Sequence, residues 1–306
     1  MIVIVCPGQG SQTPGFLAPW LDVPGARDHL VELGEAADLD LVAHGTTSDA
    51  DTIRDTAVAQ PLIVAAGLLT LRLLLSEGRG DIIGGIAGHS VGEITAAVGA
   101  GVLSETDGMG FVRRRGLAMA DAAATTPTGM TAVIGADEQE LLALLDELGL
   151  QPANFNGGGQ IVVAGAPEAL AALAEAPPSR ARVIPLQVAG AFHTRYMEPA
   201  VASLASVAEL LTPSQPNTTL WTNRDGSVVA DGRTFVDLLV GQVSSPVRWD
   251  LDMQAFASAG VTGLIEVAPA GALTGLAKRG LKGVPTVAVK TPDDLSAAYE
   301  LLAHDA

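Results

Sequence analysis

Residues 81–103 read "DIIGGIAGHSVGEITAAVGAGVL". An apolar run, "DIIGGIAG" (81–88), turns within two residues into helical spacing, and Ser90 sits at the junction between Gly88 and Gly92. A buried strand that feeds a helix at once is the repeating unit of a parallel sheet, because parallel strands need a long crossover between them. Glycines on either side of a serine let the chain turn too sharply for larger residues. Such a turn pushes the serine out at the carboxyl edge of the sheet, the geometry of a nucleophile elbow. The helix N-terminus then faces the serine with unpaired N–H groups and a favourable dipole. This one junction points to an α/β fold and to the place where chemistry would occur.

The remaining pattern agrees with that class. "IVIV" reads as the first strand, ending at Pro7, and "GQGSQTPG" as a glycine-rich loop after it. Spacing predicts a helix over 60–76; its stretch "PLIVAAGLLTLRLLL" (61–75) is short and interrupted by Arg72, which suits a core helix better than a membrane span. A further helix from Glu105 to Ala124 carries Arg113, Arg114 and Arg115, and three consecutive helical positions cannot all face one pocket. At "TTPTG" (125–129) the rhythm changes to β-α-β-β-α-β, the split pattern of a ferredoxin-like unit. Strand–helix alternation then resumes. The expectation is an α/β-hydrolase-like core with a parallel sheet, residues 1–125 and 190–306, and an inserted ferredoxin-like small subdomain, residues 126–189.

Charge and cysteine content narrow the partners. Against 34 carboxylates stand 17 Lys and Arg, a formal net charge of −17, which argues against nucleic acid or an anionic membrane as the main partner. The only cysteine, Cys6 in "MIVIVC", is expected to be a buried strand residue, and its solitude suits a reducing compartment. The N-terminus has neither the basic flank nor the long apolar core of a signal peptide, so the cytoplasm is the expected location. No cluster has metal-ligand spacing, and neither a metal nor another cofactor is expected. No segment marks an oligomer interface, and a monomer is expected.

A serine nucleophile needs a base. Of the five histidines, His304 lies in the tail, and His29 and His44 lie in polar stretches expected to be exposed. His89 adjoins Ser90, but neighbouring side chains on a tight turn diverge. His193, in "AGAFHTRYM", stands where the chain returns from the insert to the core. Two readings of it stay open: general base, or a satisfied core or hinge histidine. No convincing acid completes a triad.

Six segments together resemble one family. They are "PGQGSQ" (7–12), "GHSVGE" (88–93), "RRRG" (113–116), "GQIVVAG" (159–165), "GAFH" (190–193) and "QVSSPVRW" (242–249). In this order, over nearly the whole chain, they resemble the malonyl-CoA:acyl carrier protein transacylases and the related acyltransferase domains of fatty acid and polyketide synthesis. The resemblance implies Ser90 as nucleophile and His193 as base, with the backbone carbonyl of Gln242 orienting the imidazole where a triad would use an acid. It implies an oxyanion hole from the N–H groups of Val91 and Gln9. Arg115 would hold the free carboxylate of a malonyl group. Phe192 would crowd a branching methyl, although Gly190 departs from the first residue of the "HAFH" pattern that accompanies malonyl. His89 and Asn156 fall beside the substrate, with structural hydrogen bonding a competing role for Asn156. Malonyl-CoA and an acyl carrier protein become the expected partners, without a cofactor. Carrier proteins are usually acidic, so Lys278, Arg279, Arg180 and Arg182 are candidates for a basic docking rim. Competing readings are a serine hydrolase, a malonyl transferase serving a different carrier, and a non-catalytic scaffold.

Overall fold

The computed structural model describes residues 1–76 and 83–303. Its larger sheet is parallel, with β1 (Ile2–Cys6) at the centre between β2 (Ile83–Gly88) and β8 (Gly263–Glu266). The two-residue β7 (Thr219–Leu220) flanks β2, and β9 (Thr286–Ala288) flanks β8. Every residue of β1 is buried, as an apolar strand covered on both faces must be. Cys6 pairs with Gly88 in register, so the loop after β1 and the turn after β2 leave the sheet side by side at its carboxyl edge. Ile86 pairs with Leu220, which brings the chain after β7 to the same edge. Three stretches far apart in sequence therefore meet around Ser90.

The second sheet is antiparallel. It comprises β3 (Gly129–Ile134), β4 (Gln151–Gly157), β5 (Gln160–Gly165) and β6 (Arg182–Leu186), in the order β4-β5-β3-β6. Alternation along β3 divides its faces. Val133 packs with Leu141, Leu145 and Leu173 of the helices Glu138–Leu148 and Pro167–Glu175, whereas Met130 and Ala132 join the main core. Reciprocal bonds, Phe155 N–H to Val247 O and Val247 N–H to Ala153 O, both 2.9 Å, tie β4 of this second sheet to the segment that follows Gln242. The small sheet thus roofs the carboxyl edge of the large one.

The long apolar helix runs Thr56–Leu74 and is mostly buried in the core. It starts four residues before the expected position because the Asp55 carboxylate caps it, accepting from Ala57 N–H at 2.8 Å. The helix after Ser90 is Gly92–Gly99, shorter than its spacing implied, and Gly101 with φ 73° turns the chain beyond it. His29 overturns the expectation of exposure: it faces inward from the helix Ala26–Ala37 beside Leu30 and Leu33, and its Nε2 meets Glu105 Oε2 at 3.0 Å. His44 is half-buried, with Nδ1 3.0 Å from Ser48 Oγ. His304 and residues 81–82 of the expected second strand lie outside the described residues.

Candidate active site

Ser90 occupies the left-handed region at φ 55°, a conformation that non-glycine residues hold only when their surroundings enforce it. Steric detail explains the two glycines. A Cβ on Gly88 would lie 2.0 Å from the Gly92 carbonyl carbon, and one on Gly92 would lie 2.1 Å from Cys6 O. Neither neighbour is a side chain that could swing away. Gly92→Ala is therefore expected to lose about 3 kcal/mol or more of stability through forced separation of β1 from the elbow. A thermal midpoint within a degree of the parent would contradict this.

Ser90 Oγ and His193 Nε2 are 2.7 Å apart, and His193 Nδ1 lies 2.9 Å from the Gln242 carbonyl oxygen. A carbonyl can only accept, so Nδ1 carries the proton and Nε2 is left to accept from the serine hydroxyl. His193 also sits in the left-handed region, at φ 62°, and its N–H donates to Val243 O at 3.0 Å. Burial holds its imidazole far below the usual range, at about 3, and the nearby Arg115 charge acts in the same direction. The base is thus neutral throughout the physiological range.

Arg115 is 1% exposed. Its Nη1 donates to Gln60 Oε1 at 2.7 Å, and its Nη2 donates to Gln242 Oε1 at 2.6 Å and reaches Ser90 Oγ at 3.4 Å. Burial lowers it to about 10, opposed by Glu93, so it remains a cation at neutral pH. Both close partners are neutral amide oxygens. The nearest carboxylate, Glu93, is one step removed, accepting from Gln242 Nε2. Burial raises Glu93 to about 7. The guanidinium is held in place without being neutralised at contact, which leaves it able to take an anion.

The cavity beside these groups measures about 510 Å³ and is lined by Gln9, Val91, Phe192 and Met130 among others. Among the described residues, the N–H groups of Gln9 and Val91 donate to no other group. His89 turns away from the serine. Its Nε2 meets Asn156 Oδ1 at 2.9 Å, and its ring packs edge-on against Trp249. Asn156 Nδ2 continues to Gln160 Oε1 at 3.4 Å, which also accepts from Arg279 at 3.5 Å. Arg279 lines the cavity and Lys278 is exposed beside it. Arg180 and Arg182 are exposed at the start of β6 and do not line the cavity. Of the two arginines that precede Arg115 in "RRRG", Arg113 donates to Ala57 O at 2.9 Å and Arg114 is exposed. Among the described residues, no group of three or more His, Cys, Asp or Glu could hold a metal ion.

Sequence reasoning missed Gln60, and it missed the side chain of Gln242, whose backbone alone had been singled out. Gln60 had left a signal, a lone amide in the apolar run "AVAQPLIV". Asn223 and Asp252, which lie beneath the elbow, had left none.

A parallel α/β fold with a half-buried elbow serine lining a cavity, a neutral histidine at its oxygen and a buried cation beside it defines an enzyme of the acyl-transfer class. A family model described as the acyl transferase domain matches residues 3–293. The malonyl CoA-acyl carrier protein transacylase of Mycobacterium tuberculosis is 51% identical over 299 residues, covering 96% of this chain and 98% of that protein. The Escherichia coli K12 protein of the same name is 34% identical, covering 97% and 98%. The crystal structure of MCAT from Mycobacterium tuberculosis superposes with a TM-score of 0.94 at 50% identity, covering 97% of this chain and 99% of that one. A structure described as PlMCAT:AntF, a type II PKS acyl-carrier protein in complex with its malonyl-transacylase, gives 0.91 at 31% identity, covering 98% and 99%. The chain belongs to the acyl transferase family, among the malonyl CoA-acyl carrier protein transacylases.

Proposed function

We propose that the chain moves the malonyl group from malonyl-CoA to the phosphopantetheine thiol of an acyl carrier protein, through an ester on Ser90. The observation that carries this reading is the Arg115 guanidinium 3.4 Å from Ser90 Oγ, a fixed cation where the free carboxylate of a malonyl ester would lie. His193 Nε2 takes the Ser90 proton as Oγ attacks the thioester carbon. Val91 and Gln9 N–H groups stabilise the oxyanion. The C–S bond breaks, and the CoA sulfur leaves with the proton from His193. The malonyl ester is held by Arg115 until a second thiol enters, gives its proton to His193 and reverses the steps. Gln242 O keeps the imidazole in the required tautomer, although a carbonyl stabilises imidazolium less than a carboxylate would. All of this runs without a cofactor.

Phe192 and Met130 narrow the cavity and favour malonyl over methylmalonyl. Lys278 and Arg279 form the docking rim at the cavity mouth, with Arg180 and Arg182 further out on the small sheet. Lys278→Glu with Arg279→Glu is expected to raise the carrier-protein KM about tenfold while acylation by malonyl-CoA persists. An unchanged KM would remove the rim. The finer fold description is part of the same reading: an α/β-hydrolase-like core of residues 1–125 and 190–306, and a ferredoxin-like insert over 126–189, supported by the β4-β5-β3-β6 order. Cys6, buried in β1 with its thiol pKa pushed up by burial, suits a reducing compartment, and the cytoplasm is the proposed location.

The lowered His193 pKa sets a pH expectation. An ordinary imidazole at 6.5 would lose roughly thirtyfold of its neutral form between pH 8 and pH 5. His193, titrating near 3, keeps its basic form there, so the acylation rate constant should stay flat between pH 6.5 and 5. Stability behaves oppositely. Below pH 6.5 the unfolded chain binds a proton that the folded site refuses, so His193 lowers stability increasingly as pH falls toward 3. Acylation falling with an apparent pKa of 6–7 would contradict the buried neutral base.

The test of function is incubation with malonyl-CoA and holo-carrier protein. Malonyl-carrier formed mole for mole with CoA supports transfer. CoA released at the same rate without carrier would make the chain a thioester hydrolase instead.

A further inference from the structure

Beneath the elbow lies a side chain to which the acyl-transfer steps assign no part. Asn223 follows β7 and is 1% exposed. Its Oδ1 accepts from Ser90 N–H at 2.7 Å, and its Nδ2 donates to Gly88 O at 2.6 Å. One amide therefore grips the peptide groups on both sides of His89, across the bend that sets Ser90 at φ 55°. The amide is itself fixed. Nδ2 also donates to Asp252 Oδ2 at 2.8 Å, and the Asn223 backbone N–H donates to Glu93 Oε1 at 2.7 Å. Its carbonyl accepts from Arg248 N–H at 2.8 Å. With two acceptors on one side and a donor on the other, only one orientation of the amide satisfies all three.

We propose that Asn223 is the positioning residue of this site: through its amide, locked by Asp252, it holds Ser90 in the left-handed conformation that aims Oγ at His193. The inference rests on Ser90 being the acylated residue. A glycine-lined turn without this clamp would relax toward ordinary backbone angles and carry Oγ out of line with the imidazole. Asn223 touches neither Oγ nor the cavity, so its loss should slow acylation and leave malonyl-CoA binding alone.

Asn223→Asp keeps the shape and the acceptor for Ser90 N–H but replaces both donated bonds with an oxygen. That oxygen faces Asp252 from the helix Trp249–Ser258 and lies near Glu93 of the helix Gly92–Gly99, with Asp225 and Asp250 further out and Arg248 paired to Asp250. Pre-steady-state acylation by malonyl-CoA is measured from pH 6 to 9. The expected result is about a hundredfold slower acylation at pH 8 with malonyl-CoA Kd within twofold of the parent, and recovery toward low pH as the new acid is protonated and can donate. Exchanging the pair, Asn223→Asp with Asp252→Asn, restores the bond between positions 223 and 252 and should recover at least tenfold of the loss at pH 8. Asn223→Ser, too short to reach Ser90 N–H, should show the same slowing with the same Kd and serves if the first variant does not fold. Acylation within threefold of the parent in a folded variant would overturn the proposal, as would an exchanged pair no faster than Asn223→Asp. A parent protein that forms no ester on Ser90 would overturn the reading of the site itself, a separate outcome.

Discussion

Ser90→Ala should form no malonyl adduct and should transfer malonyl at least about 10⁴-fold more slowly than the parent. The expectation follows from what the alanine leaves standing. The cavity, Arg115 and the N–H groups of Gln9 and Val91 are untouched, so malonyl-CoA still binds and an oxyanion would still be stabilised. What is lost is the covalent path, and a thiol must then attack the bound thioester directly without an aligned base. His193→Ala should fall by a similar factor, and the double variant should be little worse than either, because the 2.7 Å contact makes the two residues one unit. Transfer rates determined with holo-carrier protein check this. A residual rate within a hundredfold of the parent in Ser90→Ala would mean that acyl groups pass through another residue or none.

Arg115→Ala should collapse selectivity. A charge-assisted bidentate contact to the malonyl carboxylate contributes about 1.5–3 kcal/mol, a factor of roughly 10 to 150 in kcat/KM. Malonyl-CoA should lose that factor while acetyl-CoA, which has no carboxylate to offer, loses little, so the ratio of the two is the quantity to measure. Arg115→Lys should fall between, because a single ammonium cannot span Gln60 and Gln242 and still meet an anion. The same change exposes a structural cost. The oxygens of Gln60 and Gln242 lose their donors inside the protein, at about 1–3 kcal/mol each, and a thermal midpoint must accompany the kinetics. An unchanged malonyl-to-acetyl ratio in a folded Arg115→Ala protein would show that the cation serves the fold and not the substrate.

What could be read from sequence was what is local. The strand, the glycines and the helix around Ser90 are contiguous, so their spacing carried the elbow directly. The β-α-β-β-α-β rhythm of residues 126–189 is likewise written in adjacent segments, and the antiparallel sheet follows it strand by strand. Residues alone could not decide the part of His193, since its meaning depends on Gln242 and Ser90, 49 and 103 positions away. The family resemblance supplied that link, and with it Arg115. The polar groups beneath the elbow stayed hidden for a physical reason. Asn223 in "TNRDGS" looks like any turn residue, and Glu93 and Asp252 look like helix carboxylates facing water. Burial beneath the elbow gives them partners and changes their chemistry, and burial is a property of the assembled fold. His29 was misjudged on the same ground, because its polar neighbours in sequence face outward while it faces Glu105.

The central claim is that malonyl passes through Ser90. The most direct measurement is the intact mass of the protein a few seconds after mixing with malonyl-CoA, with acetyl-CoA and methylmalonyl-CoA in parallel, followed by peptide mapping of any adduct. The account predicts one malonyl group per chain on the peptide that carries Ser90, faint labelling by acetyl-CoA, and none in Ser90→Ala. Free CoA accumulating with no adduct, or a malonyl group mapped to another residue, would contradict it.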